Sequence, residues 1–172
     1  LDHYHESHEF EKRLQATVAL YNRLLEQKND PWVVVTVGKL YGWDRSIANV
    51  DKQFLVERGI PRNRIVALGT DTSGAADTFE EILLACEWIH TTGRDEGHLY
   101  VVANILQAFQ AFMICVRDGI FPNFEIVPLL ERSPWYIAGK LFQAVLTFYS
   151  PRGNNPFSWA QRFVRRHISS KW

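Results

Sequence analysis

The sequence predicts an α/β protein, a single domain on a doubly wound parallel sheet of four to five strands with helices on both faces. Three observations carry this. Short apolar runs alternate with segments of helical periodicity at roughly 30-residue intervals. The run WVVVTV, residues 32–37, is continuously apolar or β-branched, the pattern of a strand buried on both sides. The 172 residues, 47% hydrophobic and 22% charged, suit one core of ordinary size, with no repeat, low-complexity tract or second domain.

Each element follows from local pattern. Residues 8–27 predict a helix, because Phe10, Leu14, Val18, Tyr21 and Leu25 repeat at helical spacing; Asn29-Asp30-Pro31 stops it. After the 32–37 strand, residues 38–45 form a loop. Ser46 caps a helix with Ile47, Val50 and Phe54 on one face, which Gly59 closes before Pro61. Residues 64–68 predict a short strand. In DTFE, residues 77–80, Asp77 can cap a helix while Glu80 reaches back; this helix runs to about His90 and buries Phe79, Leu83, Cys86 and Ile89. Residues 99–103 predict a third strand, followed directly by a helix that ends at Gly119; residues 124–127 predict a fourth. Residues 135–149 predict a helix with Ile137, Leu141, Val145 and Phe148 on its apolar face, and SPRGNNP breaks it. A last basic helix spans about 157–168. These C-terminal helices, within 134–172, pack on or beside the sheet.

Formal net charge is zero, which argues against a polyanion-binding protein as a whole and leaves room for a local basic patch. Cys86 and Cys115 fall at apolar helical positions outside any C-x-x-C pair and read as small buried hydrophobes. No apolar run is long enough to span a membrane, and no signal peptide is visible. Localisation is left between the cytoplasm and association with the envelope. The sequence opens on Leu1 and its only methionine is Met113, so it reads as a piece that an upstream segment can precede.

In such a sheet, ligands bind outside the carboxyl ends of the strands. Three segments therefore hold the candidate site. In the first, Gly38 and Lys39, with Gly42, can cradle an anion through backbone N–H groups, or simply form a loop. In the second, Asp77, Thr78 and Glu80 can bind a hydroxylated ligand, or serve only as a capping box. In the third, Asn104, Gln107 and Gln110 stand at a strand-to-helix corner; they either line a pocket or satisfy loose backbone groups. Two weaker features lie outside the cleft. His3, His5 and His8 with Glu9 could hold a metal but fit a frayed terminus better, so no metal site is assigned. Trp159, Arg162, Arg165 and Arg166 could rest on an anionic membrane, or form the solvent face of a packed helix. Nucleic acid is not expected, since there is no basic surplus elsewhere and no reading motif. No nucleophile–base arrangement stands out, and no catalytic residue is assigned.

The order and spacing of these segments resemble the SanA/YdcF/ElyC-like family, a bacterial domain with a Rossmann-like three-layer sandwich. The match covers about residues 10–130. Arg13-Leu14 and Leu20-Tyr21 fit its first helix, SIAN its Ser-Glu-Ala helix start, and LVERGIPRNRI, residues 55–65, its Leu-x-x-x-Gly-Val-Pro-x-x-x-Ile motif. DTFEE fits Asn-Thr-x-Glu-Asn, and Gly119 lies nine residues beyond Gln110. The family's Glu is Ile47 here, its second Gly is Lys39, its two Asn are Asp77 and Glu81, and its His and Arg are Gln107 and Gln110. Its first strand has no counterpart before residue 10. Gly38, Thr78 and Glu80 carry over unchanged.

The resemblance implies an envelope-related small-molecule-binding protein for a nucleotide-like or S-adenosylmethionine-like ligand, with S-adenosylmethionine the candidate cofactor. The site would be Gly38, Lys39, Asp77, Thr78, Glu80, Asn104, Gln107 and Gln110. Replacing Arg by Gln removes a bidentate anion clamp, and Gln shuttles no proton near neutral pH. A less charged ligand is therefore expected, or a catalytically silent member acting as an interaction or membrane-surface module through its basic C-terminal helix. The reaction and the oligomeric state are left open.

Overall fold

The computed structural model describes residues 8–36, 46–69, 78–94, 97–117, 119–128 and 134–149, together with Pro156, Trp159, Ala160 and Phe163. Helices and strands alternate: α1 (His8–Glu26), β1 (Val33–Val35), α2 (Ile47–Glu57), β2 (Ile65–Ala67), α3 (Thr78–Thr91), β3 (Tyr100–Asn104), α4 (Ile105–Arg117), β4 (Asn123–Val127) and α5 (Pro134–Tyr149). The fold is mixed α/β. A 3-10 turn, Arg62–Arg64, leads into β2.

The strands form two parallel pairs. In one, β1 lies beside β2 with Val33 opposite Ile65 and Val35 opposite Ala67, and Leu68 N–H extends the ladder to Val35 C=O at 2.8 Å. In the other, β3 lies beside β4 from Tyr100–Asn123 to Asn104–Val127. No ladder joins the pairs among the described residues. Among the described residues the first strand is shorter than WVVVTV suggests, with Val33–Val35 in the ladder and Val37 outside the described residues. Apolar character marks where a chain is buried, whereas the ladder also needs a partner of matching length, and β2 offers three residues.

One core forms where α1 and α2 cover the first strand pair. Phe10, Leu14 and Tyr21 of α1 meet Val33, Val35, Ile47, Leu55, Ile60 and Ile65, and Val18 and Phe54 pack against them. The same α1 packs against β3 and β4, so it bridges both pairs. On the other side α4 rests on β3 and β4 and contacts α3 and α5, burying Ala108, Ala111, Ile114 and Cys115. Both cysteines are buried.

Two expected apolar faces differ. Leu83 of α3 is 36% exposed, and Leu141 and Val145 of α5 are exposed as well. Helical periodicity shows which residues share a face, not whether another element covers it. The predicted helix at 157–168 is described only at Trp159, Ala160 and Phe163, which are helical.

Four helices end alike. After α2, Gly59 N–H bonds to Val56 C=O and Ile60 N–H reaches Leu55 C=O, with Gly59 at φ +93°. The same pair of bonds surrounds Gly93 after α3 and Gly119 after α4, both at positive φ. This is the Schellman closure, which needs a left-handed residue just past the helix. After α1 the position belongs to Lys28, at φ +62°, with Asn29 N–H on Leu24 C=O. A Cβ in that conformation costs roughly 1 kcal/mol. Lys28→Gly should therefore raise stability by about 1 kcal/mol in urea unfolding, and Gly59→Ala should lower it by at least as much.

Candidate functional site

β3 ends at Asn104 and α4 begins at Ile105, so the first turn of α4 stands at the carboxyl end of β3. Ser46 caps α2 by accepting from Asn49 N–H at 3.3 Å, which sets Asp51 in the second turn. Glu80 and Glu81 occupy the first turn of α3. Asn104, the last residue of β3, caps α4: its Oδ1 accepts from Leu106 N–H at 3.1 Å and from Gln107 N–H at 3.0 Å.

Asn104 does more than cap. Its Nδ2 donates to Gln107 Oε1 at 3.1 Å, and the Arg13 guanidinium donates to the same oxygen at 3.3 Å. The amide pair thus anchors a cation delivered from α1. One helical turn beyond, Gln110 is 1% exposed, and its Nε2 has no hydrogen-bond partner. Arg13 Nε and Asp51 Oδ1 are likewise buried and unpaired. Burying a polar atom unsatisfied costs of order 1–3 kcal/mol, so three of them call for a physical reason.

Asp51 is 5% exposed, and its carboxyl is pushed up from 3.8 to about 8. Burial is the main cause; the Arg13 charge pulls the other way, and Glu81 adds to the rise. At neutral pH Asp51 is therefore mostly a carboxylic acid, able to donate as well as accept. Arg13 and Asp51, within electrostatic range of each other, then both present donors, and Gln110 has a further buried one on α4. Asp51 feels one cation, Arg13, and one carboxylate, Glu81, so the charges acting on it nearly balance and offer little surplus to a multiply charged phosphate. The arrangement suits a ligand bearing oxygen or ring-nitrogen acceptors and little net charge.

Of the residues expected from sequence, Asn104 and Gln107 come together here, and Gln110 lies one turn further along α4. Asn104 and Gln107 have structural partners, while Gln110 retains an unpaired amide. Glu80 is half-buried at the start of α3. Thr78 begins α3, but its side chain lies outside the described residues, as do Gly38, Lys39 and Asp77 and hence the capping box. His3 and His5 lie outside them too. Among the described residues, no group of three His, Cys, Asp or Glu is placed to hold a metal.

Sequence reasoning missed Arg13, Asp51 and Glu81 as a group. A signal existed: Arg13 lies between Phe10 and Leu14 on the buried stripe of α1, and Asp51 is four residues from buried Ile47. Charges on an apolar stripe are the informative exceptions. Comparisons with family models, characterised proteins and solved structures find no match to this chain.

The raised carboxyl fixes a pH dependence. Between 3.8 and about 8 the folded state holds a proton on Asp51 that the unfolded state releases. The stability from burying the neutral acid is complete below the unfolded value and is lost as pH rises through the folded one. Urea unfolding should therefore show stability falling by a few kcal/mol, at up to about 1.4 kcal/mol per pH unit, between about pH 4 and 8. Asp51→Asn should remove this component of the slope and be more stable than the wild type at pH 8.

Proposed function

We propose that the chain is a small-molecule-binding protein whose site is the polar cluster of Arg13, Asp51, Gln107 and Gln110, with Glu80 and Glu81 at its edge. Its ligand is nucleoside-like and of low net charge, with S-adenosylmethionine as the first candidate. The observation that carries this reading is the set of three buried, unpaired polar atoms on three separate helices. A bound ligand would supply the partners they lack. The resemblance to the SanA/YdcF/ElyC-like family points the same way, since it puts the site in this part of the chain and suggests an envelope-related role.

The reading also favours a finer architecture, in which the two strand pairs are halves of one Rossmann-like sandwich. Asp51, Glu81 and Gln107 follow β1, β2 and β3 respectively, and all three lie within interaction range of Arg13 or of one another. Such convergence is natural if the carboxyl ends of these strands face one side, where ligands bind in open parallel sheets. Gly38 and Lys39, which follow β1 in sequence, and Asp77 and Thr78, at the approach to α3, would complete the site. Asp51, at about 8, could exchange a proton near neutrality, so catalysis at this site would use that carboxyl. A second reading, a membrane-surface module, is favoured by a different face, around α5.

Thermal unfolding against S-adenosylmethionine, adenosine, nucleoside triphosphates and sugar nucleotides tests the binding reading. A ligand at 100-fold over its Kd adds about 2.7 kcal/mol, or roughly 5–10 °C for a domain of this size. The expected result is a shift with the nucleosides that exceeds any with triphosphates and is lost in folded Gln110→Leu and Arg13→Met variants. A flat panel, or a shift that survives both substitutions, would reject the site.

A further inference from the structure

The solvent side of α5 is apolar. Trp135, Ala138, Leu141, Phe142, Val145 and Tyr149 recur at helical spacing and are all exposed, Trp135 at 86%, Phe142 at 58% and Tyr149 at 78%. On the inward side Ala144 is buried and Ile137, two turns before it, is half-buried. Lys140, Gln143 and Thr147 recur at helical spacing as a polar stripe in the sequence of α5, but an apolar stripe as broad as the exposed one is normally covered. The packed neighbour α4 adds Ile105, Phe109 and Phe112, exposed along one stripe of its own. Further along, Trp159 and Phe163 are exposed and stack at 5.5 Å.

Charge identifies the cover. Residues 132–172 hold seven of the 19 Lys and Arg and none of the 19 Asp and Glu. The other twelve cations and all the acids precede them, so the formal zero divides into +7 and −7. We infer that this face docks on an anionic lipid surface, α5 and the Trp159 segment lying in the interface with their aromatics among the headgroups and the flanking cations on the lipid phosphates. Other occupants fit less well. A second copy meeting the same face in a two-fold contact would set +7 against +7. Nucleic acid would match the charge but leave the Leu, Phe and Val stripe against a polar backbone. The 16 residues of α5 fall short of the roughly 20 needed to cross a bilayer, and no described helix is long and apolar enough to do so. The segment therefore lies on the surface. This inference stands independently of the ligand site.

Sedimentation of the full chain with phosphatidylcholine vesicles, with and without about one-third phosphatidylglycerol, tests it. Binding is expected on the anionic vesicles alone and should weaken with salt. At about 5-fold per cation, Arg162→Gln, Arg165→Gln and Arg166→Gln together should lower partitioning by roughly 100-fold. Trp135→Ser with Phe142→Ser and Tyr149→Ser, all exposed positions, should lower it by at least roughly 10-fold while far-UV circular dichroism is unchanged. No binding by folded protein, equal binding to neutral vesicles, self-association through α5 that both variants abolish, or tighter binding to a DNA duplex than to the anionic vesicles would overturn it.

Discussion

Asp51 and Arg13 set the terms for the middle of this molecule. The two lie close enough to interact, yet proximity to a guanidinium fails to keep the carboxyl ionised, because the cost of removing its charge from water is larger. The outcome is an acid held neutral beside a cation held charged. Arg13 keeps its place through Gln107, Gln107 through Asn104, and Asn104 through the first turn of α4. A change in any member of this chain reaches the strand-to-helix corner. Because α1 also carries Phe10 and Leu14 into the core of the first strand pair, the polar network and the apolar core share one helix.

The architecture was legible where it depends on local chemistry. Ser46 as a cap, Gly59 and Gly119 as closures and the alternation of apolar runs with periodic segments could all be read directly, since each acts within a few residues. The extent of β1 and the exposure of Leu83, Leu141 and Val145 could not, because both depend on which distant segment lies alongside. The site divides the same way. Asn104, Gln107 and Gln110 stood out as amides at a corner, but their different roles emerged only with Arg13 in place, 94 positions from Gln107 in the chain. Asp51 drew no attention because an isolated Asp on a helix usually faces water, and only its burial gives it meaning.

The molecule also separates its charges. Along the sequence all the Asp and Glu precede residue 132, and the last quarter, which includes the exposed apolar stripe of α5, holds only Lys and Arg among its formal charges. The proposed envelope-associated binding protein would use both features, the polar cluster for a ligand of low net charge and the basic, aromatic segment for the lipid.

The most direct test of the central claim is a carbon-13 titration of the Asp51 carboxyl in the folded protein, resolved by comparison with Asp51→Asn. The account predicts a midpoint near 8, as a neutral acid buried beside Arg13 requires. A midpoint near 4 would mean that water or an ion pair keeps Asp51 charged, and would contradict the polar cluster as a desolvated site.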